Sequence, residues 1–259
     1  MKPQAIFFDI DGTLVSFKTH AIPESTKSAI RRLRNMGIKV IISTGRVLRE
    51  INNLEDLEFD GYITANGACC LDLKGEIIVQ YPISKESLGR LTRYFEEKPF
   101  PCTFSTHAGN FINIVDDQVR MITQLVDLPV PTVQPVAEII EHDVLQLSAF
   151  VDEGLEGELL RHVLTDCCSS RWHSAFADFN VNHCNKANGM DLFLAHFHIE
   201  NNHTMAFGDG GNDIPMLKHA ATGIVMNNAS DDVKKVADYV TGSVDEDGIV
   251  HALRYFNIL

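Results

Sequence analysis

The sequence predicts an α/β fold whose sheet is interrupted by an inserted α+β module. Three observations carry that reading. Apolar strand-like runs alternate with amphipathic helical segments at both ends of the chain. The middle instead strings short strand-like runs between turn residues. Carboxylates gather at the ends of strands of the first kind, the edge at which open α/β sheets bind ligands. A chain of 259 residues, 45% of them hydrophobic, can build one large domain or two smaller ones.

The elements follow in order. Gln4–Phe8 is a strand whose apolar run, Ala5–Phe8, is of the kind buried in a parallel sheet. A helix spans about Pro23–Met36, with Pro in its first turn, Gly37 just past its end and an apolar face of Thr26, Ala29, Ile30 and Leu33. Ile38–Ile42 is a second strand, Val47–Leu54 a helix and Tyr62–Thr64 a third strand. Asn66-Gly67 and Lys74-Gly75 punctuate a hairpin of Ala68–Leu73 with Glu76–Tyr81. The character changes at residue 83. A helix at Lys85–Glu97 precedes strands at Cys102–Thr106, Phe111–Val115 and Leu145–Val151. A helix near Leu155–Leu164 and strands at Ser169–His173 and Asp178–Val181 complete the insert, and the Pro-rich stretch 128–135 reads as a loop. The βα alternation resumes with a helix at Lys186–His196, a strand at Thr204–Phe207, a helix at Ile214–His219 and a strand at Gly223–Met226. A short helix near Asp231–Val236, a strand at Tyr239–Val240 and a helix at Gly248–Phe256 end the chain. The expected division is therefore residues 1–82 with 186–259 as one unit and 83–185 as the insert.

Composition narrows the function. There are 35 acidic against 22 basic residues, a formal net charge of -13. That balance disfavours nucleic acid and anionic membranes as partners. No apolar run approaches the roughly 18 residues of a membrane span. The N-terminus enters a strand with no basic-apolar leader. The six cysteines lack zinc-type spacing and read as reduced thiols. Together these features lead us to expect a cytoplasmic protein, monomeric or a small homo-oligomer. An acidic protein that takes an anionic substrate must gather positive charge locally, from a metal, a lysine or a helix N-terminus.

The candidate site assembles from four places. Asp9 and Asp11 leave the first strand, within Asp9-Ile10-Asp11-Gly12-Thr13. Two acids so close repel each other, an arrangement that suits a bound cation or divided nucleophile and acid/base roles. Thr44, Gly45 and Arg46 leave the second strand; the Thr44 hydroxyl and the Gly45 N–H suit phosphate oxygens. Asp209, Asn212 and Asp213 lie in the Gly-rich turn after a later strand. Lys186 opens the helix before that strand and supplies the missing cation. Carboxylates from two strand ends suit Mg²⁺, a hard cation that prefers oxygen.

Asp9-Ile-Asp-Gly-Thr13, Ser43-Thr-Gly-Arg46, Lys186 and Gly208-Asp-Gly-Gly-Asn-Asp213 resemble the four motifs of the haloacid dehalogenase-like hydrolase superfamily. Their order, and the long insert between the second and third, resemble its Cof-type, capped subclass IIB phosphatases. The resemblance spans the whole chain; the first and fourth motifs are specific, the middle two weak alone. It implies a Rossmann-like parallel-sheet core with an inserted α+β cap domain and a Mg²⁺-dependent phosphatase of small phosphorylated metabolites, sugar phosphates first among them. It further implies that Asp9 attacks phosphorus to form an aspartyl-phosphate and that Asp11 serves as acid and then base. Mg²⁺ would be held by Asp9, the backbone carbonyl of Asp11 and Asp209, with Asp213 in support. Thr44, Gly45, Lys186 and Asn212 would hold phosphoryl oxygens. The chain departs from the family pattern where Ala187 follows the lysine in place of the usual Gly.

Other residues have two readings. Arg46 reaches a substrate phosphate or the cap, or is a solvated arginine at a helix start. Asn66-Gly67 is read as a hairpin turn rather than a site element. Asn182 and His183 sit where the insert meets the core and touch the substrate or, the preferred reading, belong to the linker. His107 and Asn110 line the cap's substrate face or, again the preferred reading, are ordinary loop residues. His20 lies in the loop after the first motif, where some family members carry small cap elements, and His196 and His198 are read as structural. The rival functions are a sugar phosphomutase of the same fold and a non-catalytic phosphate-binding protein. The second is disfavoured because Asp9, Asp11, Lys186 and Asp209 are all present.

Overall fold

The structure is a computed structural model that describes residues 2–259. Two sheets organise it. The first contains β1 (Ala5–Phe8), β2 (Lys39–Ser43), β3 (Gly61–Thr64), β4 (Cys69–Asp72), β5 (Ile77–Gln80), β12 (Thr204–Gly208), β13 (Thr222–Val225) and β14 (Tyr239–Val240). Its order is β14-β13-β12-β1-β2-β3-β4-β5. The strands from β14 to β3 are parallel, and β4 and β5 add an antiparallel edge. Both faces are covered. Ile6 and Phe8 of β1 join one apolar cluster with Ile30 and Leu33 of α1 (Glu24–Asn35) and Leu253 of α9 (Gly248–Tyr255). Ala5 and Phe7 point to the opposite cluster, with Met190 and Phe193 of α6 (Lys186–Phe197) and Leu217 of α7 (Ile214–His219). Burial on both faces explains why β1 reads as an unbroken apolar run.

The second sheet comprises β6 (Cys102–Thr106), β7 (Gly109–Ile112), β8 (Thr132–Val133), β9 (Val144–Ala149), β10 (Cys167–Ser170) and β11 (Ala177–Val181), in the order β10-β11-β9-β6-β7-β8. It is antiparallel apart from the β7–β8 pair. Its central strands alternate over most of their length. Cys102, Phe104, Leu147, Ala177 and Phe179 pack under Leu88 and Leu91 of α2 (Lys85–Glu97) and Leu159 of α5 (Glu153–His162). The intervening Thr103, Ser105, Gln146 and Asp178 face the other way and are nevertheless buried. A polar sheet face hidden from solvent needs something polar to cover it, and here it turns toward the carboxyl ends of β1, β2 and β12.

Most expected elements are present, with ends shifted by one to three residues. Three differ. The helix expected over Val47–Leu54 is a single 3-10 turn at Leu48–Glu50. The Arg46 guanidinium donates to the Glu50 carbonyl at 2.9 Å, and the chain leaves the helical path at Ile51. The stretch before the Pro-rich segment holds an unforeseen helix, α3 (Asp117–Leu125), capped by the Asp116 side chain on the Val119 N–H at 2.9 Å. The Pro-rich segment itself contributes β8 and leads into the short helix α4 (Val136–Ile139), with Pro135 at its N-cap. A further short helix, α8 (Asp231–Lys234), lies near the C-terminus. The six cysteines form no disulfide. No helix among the described residues is long and apolar enough to cross a membrane.

Candidate active site

Parallel pairing of β1 with β12 and with β2 brings three loops to one edge. Asp9 follows β1, its N–H bonded to the Phe207 carbonyl at 3.0 Å. The chain then turns sharply at Gly12, where φ is +87° and a Cβ would collide with the Asp209 carboxylate. That close approach is why glycine is needed. It lets the Thr13 hydroxyl donate to Asp209 Oδ1 at 2.9 Å, while Asn228 Nδ2 donates to Asp209 Oδ2 and to the Gly12 carbonyl, each at 2.9 Å.

Lys186, fully buried at the start of α6, ties the site together. Its Nζ donates to Asp9 Oδ1 and Asp213 Oδ1, both at 2.6 Å. Asp213 Oδ2 accepts from the N–H groups of Asp209 at 3.0 Å and Gly210 at 2.9 Å. Both Asp213 oxygens are therefore engaged, and Asp213 braces the β12 loop against the lysine. Asp11 stands apart from this triad. Arg46 grips it as a fork, Nη2 on Oδ1 at 2.6 Å and Nε on Oδ2 at 2.7 Å. Arg46 also donates to the Val126 carbonyl at 2.9 Å, just past α3, so this buried arginine joins the core loop to the second sheet's unit. It is neither solvated nor at a helix start. Thr44 is buried, its hydroxyl accepting the Arg46 N–H at 3.1 Å.

Electrostatics at this edge is under strain. Burial, with the charges of Asp213 and Asp11, pushes the Asp9 carboxyl above its ordinary value despite Lys186. Burial and the neighbouring Asp9 and Asp213 raise Asp209 as well. Burial works against the Lys186 charge, but Asp213 and Asp9 outweigh it and hold the ammonium above its usual range. Asp9, Asp209 and Asp213 offer oxygens that all lie within 4.8 Å of one another. Hard oxygen donors, crowded and mutually repelling, fit a divalent cation that would relieve the repulsion. Asp11's side chain is outside that group.

Above the edge lies a cavity of about 410 Å³, lined by Asp9, Asp11, Thr44, Gly45, Arg46, Asp209, Asn212 and Asp213 and by residues of the second sheet. The volume falls in the range of small-molecule sites. Asn66 is the residue that the turn reading undervalued. It does sit in the turn joining β3 to β4, with φ +54°, but its side chain is buried and bridges both units. Nδ2 donates to Gln146 Oε1 at 3.0 Å and Asp178 Oδ2 at 3.2 Å, while Oδ1 accepts from Asn212 Nδ2 at 3.0 Å. Gln146 in turn donates to the Gly45 carbonyl at 3.2 Å. Gln146, Ser148 and Asp178 escaped sequence reasoning, although the alternation Leu145-Gln146-Leu147-Ser148 is a legible signal for a two-faced strand. Of the cap-loop residues, Asn110 lines the cavity and donates to Glu50, whereas His107 is exposed on Gln80. Asn182 and His183 are exposed and, like His20, His196 and His198, do not line the cavity.

The family model described as haloacid dehalogenase-like hydrolase matches residues 6–253. Among solved structures, the chain is similar to the subclass IIB sugar phosphatase BT4131, at 40% identity over 99% of this chain and 100% of that one, with a TM-score of 0.92. It is also similar to BT1666 of Bacteroides thetaiotaomicron, a phosphatase of the same superfamily, at 36% identity over 100% and 96% of the two chains, with a TM-score of 0.92. YkrA of Bacillus subtilis (strain 168), provisionally named a phosphatase, is 29% identical over the full length of both chains.

Proposed function

The chain belongs to the haloacid dehalogenase-like hydrolase family, and we propose that it is a Mg²⁺-dependent phosphatase of small phosphomonoesters, sugar phosphates foremost, working through an aspartyl-phosphate on Asp9. Residues 83–185 are taken as its cap and residues 1–82 with 186–259 as its core. The carrying observation is the carboxylate of Asp9, fixed by Lys186 at 2.6 Å through one oxygen and opening onto the cavity. Its other oxygen accepts no hydrogen bond among the described residues and is free to attack phosphorus.

In this reading Asp9 displaces the alcohol and becomes covalently phosphorylated. Asp11, once released from its fork with Arg46 and protonated, gives a proton to the departing oxygen, then removes one from the water that cleaves the acyl-phosphate. Arg46, which the sequence left between phosphate and cap, orients Asp11. Thr44, the Gly45 N–H, Asn212 and Lys186 hold the phosphoryl oxygens. Asp9, Asp209 and the Asp11 carbonyl would hold Mg²⁺, with Asp213 bracing Lys186 and the loop. When bound, the cation offsets the repulsion between an anionic nucleophile and an anionic phosphate. The inserted unit closes the cavity from bulk water.

The test is phosphate release from p-nitrophenyl phosphate and a panel of sugar phosphates, with Mg²⁺ or EDTA. Wild type should turn over with Mg²⁺ only, and Asp9→Asn should lose at least about 10³-fold in kcat. Turnover that survives both EDTA and Asp9→Asn contradicts the proposal.

A further inference from the structure

The buried polar face of the second sheet carries chemistry that phosphoryl transfer does not use. Thr103, Ser105, Gln146, Ser148 and Asp178 come from three adjacent strands and line the cavity opposite the Asp9 edge. Asp178 is only 2% exposed. Its Oδ1 accepts from Ser148 Oγ at 2.6 Å and its Oδ2 from Asn66 Nδ2 at 3.2 Å. Burial lifts its carboxyl to about 6, which leaves it ionised at pH 7.5.

No free cation among the described residues answers that charge: Lys186 and Arg171 lie near enough to act on it, but Lys186 is held by Asp9 and Asp213 and Arg171 by Glu156. Arg46 is the one lysine or arginine lining the cavity among the described residues, and it is spent on Asp11 and on the carbonyls of Glu50 and Val126. His173 turns its Nδ1 to the Ala175 N–H as an acceptor. The adjoining wall is apolar and aromatic, with Phe150, Trp172 and Phe176 packed against one another. The leaving-group side of the cavity thus offers hydroxyl-accepting oxygens, small hydroxyls and ring faces.

We infer that Asp178 is a specificity-determining residue that selects phosphate monoesters of neutral or amino-bearing polyols and rejects alcohols carrying a second anionic group. The inference rests on the phosphatase reading above. Hydroxyls of a polyol donate to Asp178 and Gln146, and the C–H face of a sugar ring packs on the aromatic wall. A second phosphate or a carboxylate would instead meet a buried carboxylate with no cation to pair it.

Three substrates on one hexose skeleton test this: glucose 6-phosphate, glucosamine 6-phosphate and 6-phosphogluconate, with p-nitrophenyl phosphate as the reference. In wild type, kcat/KM for 6-phosphogluconate should fall at least about tenfold below that for the two others. Asp178→Asn should narrow that gap by about tenfold. Equal use of 6-phosphogluconate and glucose 6-phosphate by wild type overturns the inference, as does an unchanged ratio in Asp178→Asn. Release from p-nitrophenyl phosphate but from none of the hexoses overturns it too, while leaving the phosphatase reading standing. Silence toward all four brings down that reading and the inference with it. The wild-type comparison requires no variant to fold.

Discussion

Glu50 shows how a single side chain registers its surroundings. It sits behind Arg46, with Asn110 donating to its Oε1. Burial, aided by the nearby charges of Asp11 and Asp178, lifts its carboxyl to about 7 against the pull of Arg46. The folded state therefore binds a proton that the unfolded chain releases near pH 4.5. Stability attributable to this group is present below that pH and is lost as the pH rises toward 7. Glu50→Gln keeps the acceptor and removes the titration. It should be more stable than wild type by about 1–2 kcal/mol at pH 8 and equal to it near pH 4.5. Denaturant melts at the two pH values check this; an equal difference at both would show that the carboxyl is not held neutral by folding. Residues of this kind are hard to read from sequence. Asp9, Asp11 and Asp209 stood out because they lie in glycine-marked turns after apolar strands, and Lys186 because it opens a helix as the cation the motif order calls for. Glu50 and Asp178 lie in ordinary runs, and only folding gives them partners 60 and 112 residues away, Asn110 and Asn66.

At the scale of elements, the seam between the two sheets is built from side chains on short connections. Asn66, in the turn after β3, holds Asn212 on one side and Gln146 and Asp178 on the other. Gln146 then reaches the Gly45 carbonyl, and Asn180 donates to the Ala65 carbonyl at 3.0 Å. The links are buried, that to Gly45 in part, so removing one partner leaves others unpaired. Asn66→Ala should lower stability by about 1–3 kcal/mol and reduce kcat by at least about tenfold, because Asn212 loses its anchor. Unchanged kcat in a folded Asn66→Ala would show that the bridge positions nothing. The sequence showed a turn at Asn66-Gly67 and the turn is there. What it hid was the direction of the side chain, which depends on an element folded far along the chain. The Val47–Leu54 helix failed for a related reason: the buried Arg46 takes the Glu50 carbonyl that a helix would have needed. Helix α3 was missed because a Pro-rich segment follows so closely.

The whole molecule reconciles a net charge of -13 with a site for an anion. It does so by placing two of the three cations buried among the described residues, Lys186 and Arg46, at one sheet edge and pairing each with a carboxylate, while the third, Lys27, lies on α1. The α/β order, interrupted and resumed, was legible because each half-sheet carries its own periodicity. The covering of one sheet's polar face by the other's strand ends was not, since period-2 alternation reads the same whether the polar face meets water or a ligand. The central claim is that Asp9 carries the phosphoryl group in transit. The direct measurement is acid-quenched labelling of Asp11→Asn with p-nitrophenyl [³²P]phosphate, whose leaving group departs without a proton, and Mg²⁺, followed by peptide mapping. Without its base, this variant should accumulate close to about one hydroxylamine-sensitive phosphate per chain on the peptide containing Asp9. Turnover by wild type with no trapped label in Asp11→Asn, or label on a peptide lacking Asp9, would contradict the account.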